Sequence, residues 1–297
     1  MLPQFELLMP DTLPEALEML ADRTPDVRPL AGGTNLIPDL RAGTHRPGSV
    51  VNVEGVGGLG GIRQEDGYIV LGSGVTLAEV LSDDLIAEHG GVLAQAARVF
   101  ANPLVRNRAT VGGNLGNASP AADTAPPLLV LGAEVELATN DGSRWVALED
   151  FFVHVCDTVC EPMELITAVR WPLPSPRAVG GFRKLMLRKS MAISVVSAAA
   201  QITLDEEGCC EDVRIALGAV APTPVRAYEA EDVLRGQRLD PDLIEEVTPV
   251  ACGAASCIDD VRSSAKYRER VTDVLVRRLL GDLLHPDTGG TRCNRRS

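Results

Sequence analysis

The chain has 297 residues, of which 45% are hydrophobic and 23% charged, a globular composition that excludes a disordered or fibrous protein and predicts one or two compact domains. Lys and Arg number 28 against 41 Asp and Glu, a net charge of -13, so the surface repels phosphate backbones and anionic lipid headgroups and no nucleic-acid partner is expected. No apolar run reaches the roughly 18–20 residues of a membrane span, and Glu6 and Asp11 stand where an export signal is apolar, so a cytoplasmic protein is expected.

The first predicted element is a helix from about Thr12, with Pro14 in its first turn and Leu13, Leu17 and Leu20 on one face. A strand from Val27 to Leu30 then runs into Gly32-Gly33, and 49–53 and 68–73 read as further short strands between glycine-rich turns. Thr76 and Glu79 form a capping-box pattern that opens a helix to about Leu81, and a second helix covers Val92 to Phe100. After a glycine-rich loop at 110–117 and an apolar run, Glu134 to Ala138 alternate as a strand, Asn140-Asp141-Gly142 turn the chain back, and 164–172 form another strand. The prolines and glycines of 173–181 read as a linker. Beyond it, strands are predicted at 182–188, 192–204 and 212–220 and helices near 223–235, 242–253 and 264–284, a segregation that argues an α+β unit with an antiparallel sheet covered on one face. Tyr267, Val271, Val274, Leu275 and Leu279 make an apolar stripe on the last helix, read as core packing.

Cysteine occurs seven times, with no C-x-x-C pair, so neither zinc nor an iron-sulfur cluster is expected and reduced thiols are the better account. His45, His89, His154 and His285 are scattered, and no metal ligand is assigned. Gly55 to Gly60 match G-x-G-x-x-G, yet Ile62 to Gly67 read as a turn rather than the helix a dinucleotide fingerprint requires. No G-x-x-x-x-G-K-[ST] occurs, so NTPase chemistry has no support.

Two other glycine segments carry more information. Leu30-Ala31-Gly32-Gly33-Thr34-Asn35-Leu36 places paired glycines between a strand and polar residues, which exposes consecutive backbone N–H groups as an anion-binding concavity. Thr110-Val111-Gly112-Gly113-Asn114 repeats that grammar, and together the two could hold the two phosphates of a pyrophosphate, a plain glycine turn being the competing account of each. Asp123 could accept hydrogen bonds from sugar hydroxyls or cap the apolar segment after it.

PLAGGTNLIPDLR (29–41), ATVGGNLGNASPAADTAPPLL (109–129), ELITAVRWP (164–172) and FRKLMLRKSMAISVVSAAAQI (182–202) together resemble the FAD-binding medium subunit of molybdenum hydroxylases, the xanthine dehydrogenase and carbon monoxide dehydrogenase relatives. The resemblance runs in matching order from about residue 4 to about 284. It implies an α+β protein: a two-lobed FAD-binding domain of the vanillyl-alcohol-oxidase (PCMH) type over 1–175, divided near 55–60, a C-terminal domain of antiparallel sheet plus helices over 176–285, and a tail at 286–297. It also implies that Pro29, Leu30, Ala31, Gly32, Gly33, Thr34, Asn35 and Leu36, with Thr110, Val111, Gly112, Gly113 and Asn114, hold the pyrophosphate, and that Asp123 binds a ribose or ribityl hydroxyl. Phe100 matches an aromatic position that touches the cofactor in some relatives, an apolar helix residue being an equally good account of it, and Ile166, Lys184 and Ile193 match further cofactor-contact positions. Where many relatives have Asp before the residue packed on the isoalloxazine, this chain has Ala192-Ile193, so shielding of the ring would be aliphatic and the acidic contact absent.

The implied function is electron transfer: FAD here takes electrons from partner 2Fe-2S clusters and passes them to an external acceptor, with no catalytic acid or base in this chain. The implied partners are a large molybdopterin-binding subunit and a small 2Fe-2S subunit, in a heterotrimer that is often doubled. Two rivals remain at this stage: a stand-alone FAD-dependent oxidase or reductase, which would need a tyrosine, histidine or arginine beside the flavin, and a scaffold that has lost FAD.

Overall fold

The structure is a computed structural model that describes residues 2–188, 190 and 192–284; the expected tail at 286–297 lies outside the described residues. Among the described residues, three sheets of three or more strands follow one another along the chain, beside one two-stranded sheet. The first comes from β1 (Glu6–Leu8), β2 (Val27–Leu30) and β3 (Ser49–Asn52), parallel in the order β1-β3-β2. Its crossovers are α1 (Leu13–Arg23) and α2 (Leu36–Ala42). Thr12 caps α1, and Glu15 completes a capping box. Ala16, Leu17 and Leu20 are buried in a core with Val27 and Val51 and, from the next sheet, Ala138 and Leu165.

The second sheet has the order β4-β5-β10-β6-β7, antiparallel throughout, from β4 (Ile62–Glu65), β5 (Tyr68–Gly72), β6 (Glu134–Thr139), β7 (Gly142–Ala147) and β10 (Leu165–Pro172). Between β7 and β10 come α9 (Leu148–Phe151) and a separate hairpin of β8 (Phe152–His154) and β9 (Asp157–Thr158). Between β5 and β6 the chain inserts α3 (Leu77–Ser82), α4 (Asp84–His89), α5 (Gly91–Val99), α6 (Pro103–Arg106), α7 (Val111–Gly116) and α8 (Ala125–Val130). These helices and the sheet share one core with Ile69, Leu93, Leu128, Phe151 and Trp171. The indole of Trp171 donates to the His89 carbonyl at 3.0 Å, which gives its buried N–H a partner.

The third sheet is antiparallel in chain order: β11 (Ala178–Met186), β12 (Ser194–Leu204), β13 (Cys210–Gly218) and β14 (Val225–Arg226). It is followed by α10 (Tyr228–Leu234), α11 (Pro241–Cys252) and α12 (Ala265–Leu284).

Several expectations need correction. The segment at 110–117 is not a loop: α7 occupies most of it, because Thr110 caps the first turn by accepting from the Gly113 amide at 3.0 Å. The stretch read as turn-like after Gly60 is the edge strand β4, paired with β5, and α4 stands capped by Asp83 where no helix was read. The linker is shorter than 173–181, since β11 begins at Ala178, and the helix expected from 223 is preceded by β14 and begins at Tyr228. The third sheet is covered on both faces rather than one: α10 and α12 lie on one side, and α5 and α8 on the other. Ser194 to Ala200 are accordingly buried without interruption, and small residues are what the second face admits, since a Cβ on Gly218 would meet the Ser197 hydroxyl at 2.5 Å and the Pro126 ring at 2.9 Å. The stripe on α12 is only half right. Leu275 and Leu279 are buried, but Tyr267 and Val274 are exposed, and Arg268 and Thr272 are inside. A buried guanidinium needs acceptors from distant segments, and here Val195 and Ala219 provide carbonyls that no local pattern announces.

Candidate functional site

The first glycine segment leaves the carboxyl end of β2 and turns into α2, the end of a parallel sheet at which open α/β sheets place their ligands. Gly33 takes φ of +68°, a left-handed conformation that glycine reaches without strain. Among the described residues, the backbone N–H groups of Gly32, Gly33, Thr34 and Asn35 donate to no protein acceptor; the first amide of this run to find one is that of Ile37, on the Gly33 carbonyl at 3.2 Å. Asn35 stands at the N-cap of α2, but its side chain makes no capping bond. Pro29 and Asn35 are exposed, and Leu30 to Thr34 and Leu36 are half-buried.

The second segment is built differently. Residues 109–112 are stitched to the turn after β5: the Leu77 amide donates to the Ala109 carbonyl, that of Val111 to Val75 and that of Gly112 to Ser73, each at 2.9 Å. Gly113 and Asn114 donate to the hydroxyl and carbonyl of Thr110, both at 3.0 Å. Every amide from Val111 to Asn114 is therefore spent inside the protein, so this segment does not repeat the first as an anion-binding concavity. What it offers is closeness. A Cβ on Gly32 would fall 1.6 Å from the Arg108 carbonyl oxygen, and one on Gly113 would lie 3.9 Å from the Ala31 methyl, so the two segments abut. A bidentate ion pair of Arg108 with Glu54, at 2.5 and 2.7 Å, clamps the chain after β3 to the same place. The Asn114 carbonyl oxygen accepts from the Thr124 hydroxyl at 2.6 Å, which leaves its NH2 group for a ligand.

Next to Thr124 stands Asp123, 5% exposed. One of its carboxylate oxygens accepts from the Lys184 ammonium on β11 at 2.6 Å and the other from the Ser194 hydroxyl on β12 at 2.5 Å. Burial pushes the Asp123 carboxyl up, while Lys184 and Ser194 pull it back. Lys184, its side chain 1% exposed, also donates to the Ala192 carbonyl at 3.3 Å. Each oxygen of Asp123 thus has one donor within the protein, and Lys184 is enclosed by it. Ser194 carries no mark in the sequence that would single it out.

Ile166 is buried beneath α7, where a Cβ on Gly116 would lie 3.2 Å from its side chain. Phe100, half-buried, ends α5, and its carbonyl accepts from the Arg106 guanidinium at 2.7 Å. The next carbonyl, of Ala101, accepts from the Ser190 hydroxyl at 3.2 Å, which ties the Phe100 end of α5 to the segment that carries Ile193. Ile193 itself is 61% exposed. The contacts therefore run as one chain from the first loop through α7 to Asp123, Lys184 and Ile193. Two small pockets, one beneath α1 and one between β13 and the end of α8, touch none of these residues.

Among the described residues no helix is long and apolar enough to cross a membrane. The six described cysteines are free. Burial, with Glu164 nearby, pushes the Cys160 thiol up to about 12, the opposite of what a reactive or metal-binding thiolate requires.

Known proteins resemble this chain along most of its length. Residues 3–174 match the model of the FAD binding domain in molybdopterin dehydrogenase, and residues 182–283 that of the CO dehydrogenase flavoprotein C-terminal domain. The carbon monoxide dehydrogenase medium chain of Afipia carboxidovorans is 32% identical over 274 residues, 92% of this chain and 94% of that protein. The 6-hydroxypseudooxynicotine dehydrogenase complex subunit alpha of Paenarthrobacter nicotinovorans is 32% identical over 283 residues, 95% of each. Among solved structures, a chain of the reconstituted CO dehydrogenase from Oligotropha carboxidovorans superposes with a TM-score of 0.91 at 32% identity, with 95% of this chain and 98% of that one covered. The chain belongs to the family of FAD-binding medium subunits of the molybdopterin dehydrogenases.

Proposed function

We propose that this chain holds FAD along the line from the first glycine segment to Ile193 and works as the electron-transfer subunit of a molybdenum hydroxylase. The observation that carries the reading is the row of four unpaired backbone N–H groups, Gly32 to Asn35, at the end of a parallel strand. Donors left without acceptors are costly unless water or a ligand satisfies them, and a pyrophosphate presents acceptors of the right sign without any lysine. Gly32 lets the loop close on the Arg108 backbone, with which a side chain there would collide, and Gly33 supplies the left-handed turn between the free amides.

In this reading Gly32, Gly33, Thr34 and Asn35 bind the pyrophosphate. Gly113 gives it close approach, and Asn114 donates from its free NH2 group. Ile166 supports α7 from below, and Phe100 and Ile193 border the ring end and keep water from it. Asp123 serves the site by holding Lys184. When bound, FAD supplies the redox chemistry, taking electrons one at a time and releasing them as a pair. The protein's own residues bind, orient and shield, and none is assigned as acid or base.

Electrons come from 2Fe-2S clusters in a small partner subunit, fed by a large molybdopterin-binding subunit in a heterotrimer. The names medium chain and complex subunit alpha, carried by the relatives, support an assembly of this kind. Two of the three tyrosines are engaged elsewhere, Tyr68 under Arg170 and Tyr228 on Glu149, which weighs against a stand-alone oxidase. A cytoplasmic location is supported by the free thiols. The test is the visible absorption spectrum of the purified chain, with the released chromophore identified by mass. A flavin spectrum that yields FAD is expected. A colourless chain that takes up no added FAD overturns the reading.

A further inference from the structure

Four consecutive residues at the start of β12 are fixed from three directions. The Ala192 carbonyl accepts from Lys184 of β11 at 3.3 Å. The Ser194 hydroxyl donates to Asp123, which precedes α8, at 2.5 Å. The Val195 carbonyl accepts from the Arg268 guanidinium of α12 at 2.6 Å. Between these fixed points stands Ile193, 61% exposed. Arg268 is itself held: its side chain is 3% exposed, it donates to the Ala219 carbonyl at 2.8 Å, and Asp260 accepts from its other terminal nitrogen at 2.7 Å. Burying an arginine is costly unless its charge is paired and its donors are used; both terminal nitrogens of Arg268 are used, and its Nε has no partner among the described residues. Here the burial brings the far helix of the molecule to the backbone two residues from Ile193.

We propose that Arg268 and Ser194 are positioning residues for the flavin: together with Lys184 they fix residues 192–195 and thereby set where Ile193 stands against the ring. The place of the ring rests on the FAD reading above; the fixing of residues 192–195 does not. Ser194→Ala removes the hydroxyl that reaches Asp123 and leaves little empty volume. Arg268→Lys keeps the charge but cannot reach two carbonyls and a carboxylate at once, and Arg268→Met removes the charge as well. Graded effects are therefore expected, with Lys milder than Met.

The experiment has two arms on the full chain. In the first, FAD is removed and limited trypsin digestion is followed by mass spectrometry, as the rate of cleavage after Arg188 relative to that after Arg63, a distant exposed site. Losing one hydrogen bond to a charged group raises the population of the locally opened segment, so the ratio is expected to rise about tenfold in Ser194→Ala and in Arg268→Lys. A general loss of stability would raise cleavage after Arg63 in the strand β4 at least as much, so it would not raise the ratio. In the second arm, FAD is bound and iodide quenching of flavin fluorescence is measured at equal flavin content, with a several-fold rise expected in both variants. Should Arg268→Met fail to fold, Ser194→Ala and Arg268→Lys carry the test. An unchanged cleavage ratio together with unchanged quenching overturns the proposal. Failure of the unaltered chain to take up FAD overturns the reading of the site, and the proposed role toward the flavin with it; the cleavage ratio shows separately whether residues 192–195 are fixed.

Discussion

The two glycine segments share a grammar, paired glycines beside Thr and Asn, and differ in where their backbone donors go. At 32–35 the N–H groups have no acceptor among the described residues. At 111–114 each one is taken, two by the turn after β5 and two by Thr110. The difference follows from what lies beside each segment. The first leaves the end of a sheet and reaches a helix whose cap residue makes no side-chain bond, whereas the second is laid against another turn and closed by a capping threonine. Glycine lets backbones meet in both segments, at Gly32 against Arg108 and at Gly112 against Ser73; only the first also keeps its amides unspent. A ligand gains affinity from the first and shape from the second.

That contrast can be broken by substitution. Gly32→Val is expected to have the largest effect, because its Cβ would meet the Arg108 carbonyl oxygen at 1.6 Å and the loop must move. FAD affinity should fall by at least about 100-fold, about 2.7 kcal/mol, measured as flavin retained through gel filtration. Gly112→Ala should act on the fold first. Its Cβ would lie 2.5 Å from the Ser73 Cβ, so a stability loss of about 1–3 kcal/mol is expected in urea unfolding of the FAD-free chain. If Gly112→Ala strips FAD at unchanged stability, the division of labour between the segments is wrong.

Smaller effects sharpen the same point. Thr110→Ala removes the cap of α7 and frees the Gly113 amide, with an expected cost of about 1 kcal/mol in the FAD-free chain. Asn35→Ala removes a residue at a cap position that makes no capping bond, so stability should change by less than about 0.5 kcal/mol. Any effect of Asn35→Ala should appear only in flavin affinity, read by fluorescence titration. A stability loss in Asn35→Ala equal to that in Thr110→Ala would erase the distinction.

What the sequence disclosed and what it hid divide along the same line. Local signals were legible: the Thr76–Glu79 capping box, the start of α1 after Thr12 with Pro14 in its first turn, the alternation of β6 and the turn at Asn140-Asp141 before Gly142 all lie where the residues place them. Both glycine segments could be picked out as backbone-bearing. Whether their amides were free could not, because the answer depends on Val75 and Ser73, more than thirty residues before α7. Asp123 and Lys184 could be named singly, but their pairing spans 61 positions and needs Ser194 as the third member. The stripe on α12 failed for a related reason. Helical periodicity ranks Tyr267 above Arg268 as a core residue, and only the carbonyls of Val195 and Ala219 reverse the order.

The covering of the third sheet on both faces bears on how the chain is made. The core of the second sheet and its helices includes Phe182, Ala199 and Ala216, so the parts of α5 and α8 that meet the third sheet stay uncovered until β11, β12 and β13 have left the ribosome. A nascent chain stopped near residue 174 holds every glycine of the cofactor loops and still lacks part of its own interior, a state open to aggregation and to chaperones. Synthesis of the C-terminal strands is thus the step that completes the core of the N-terminal half.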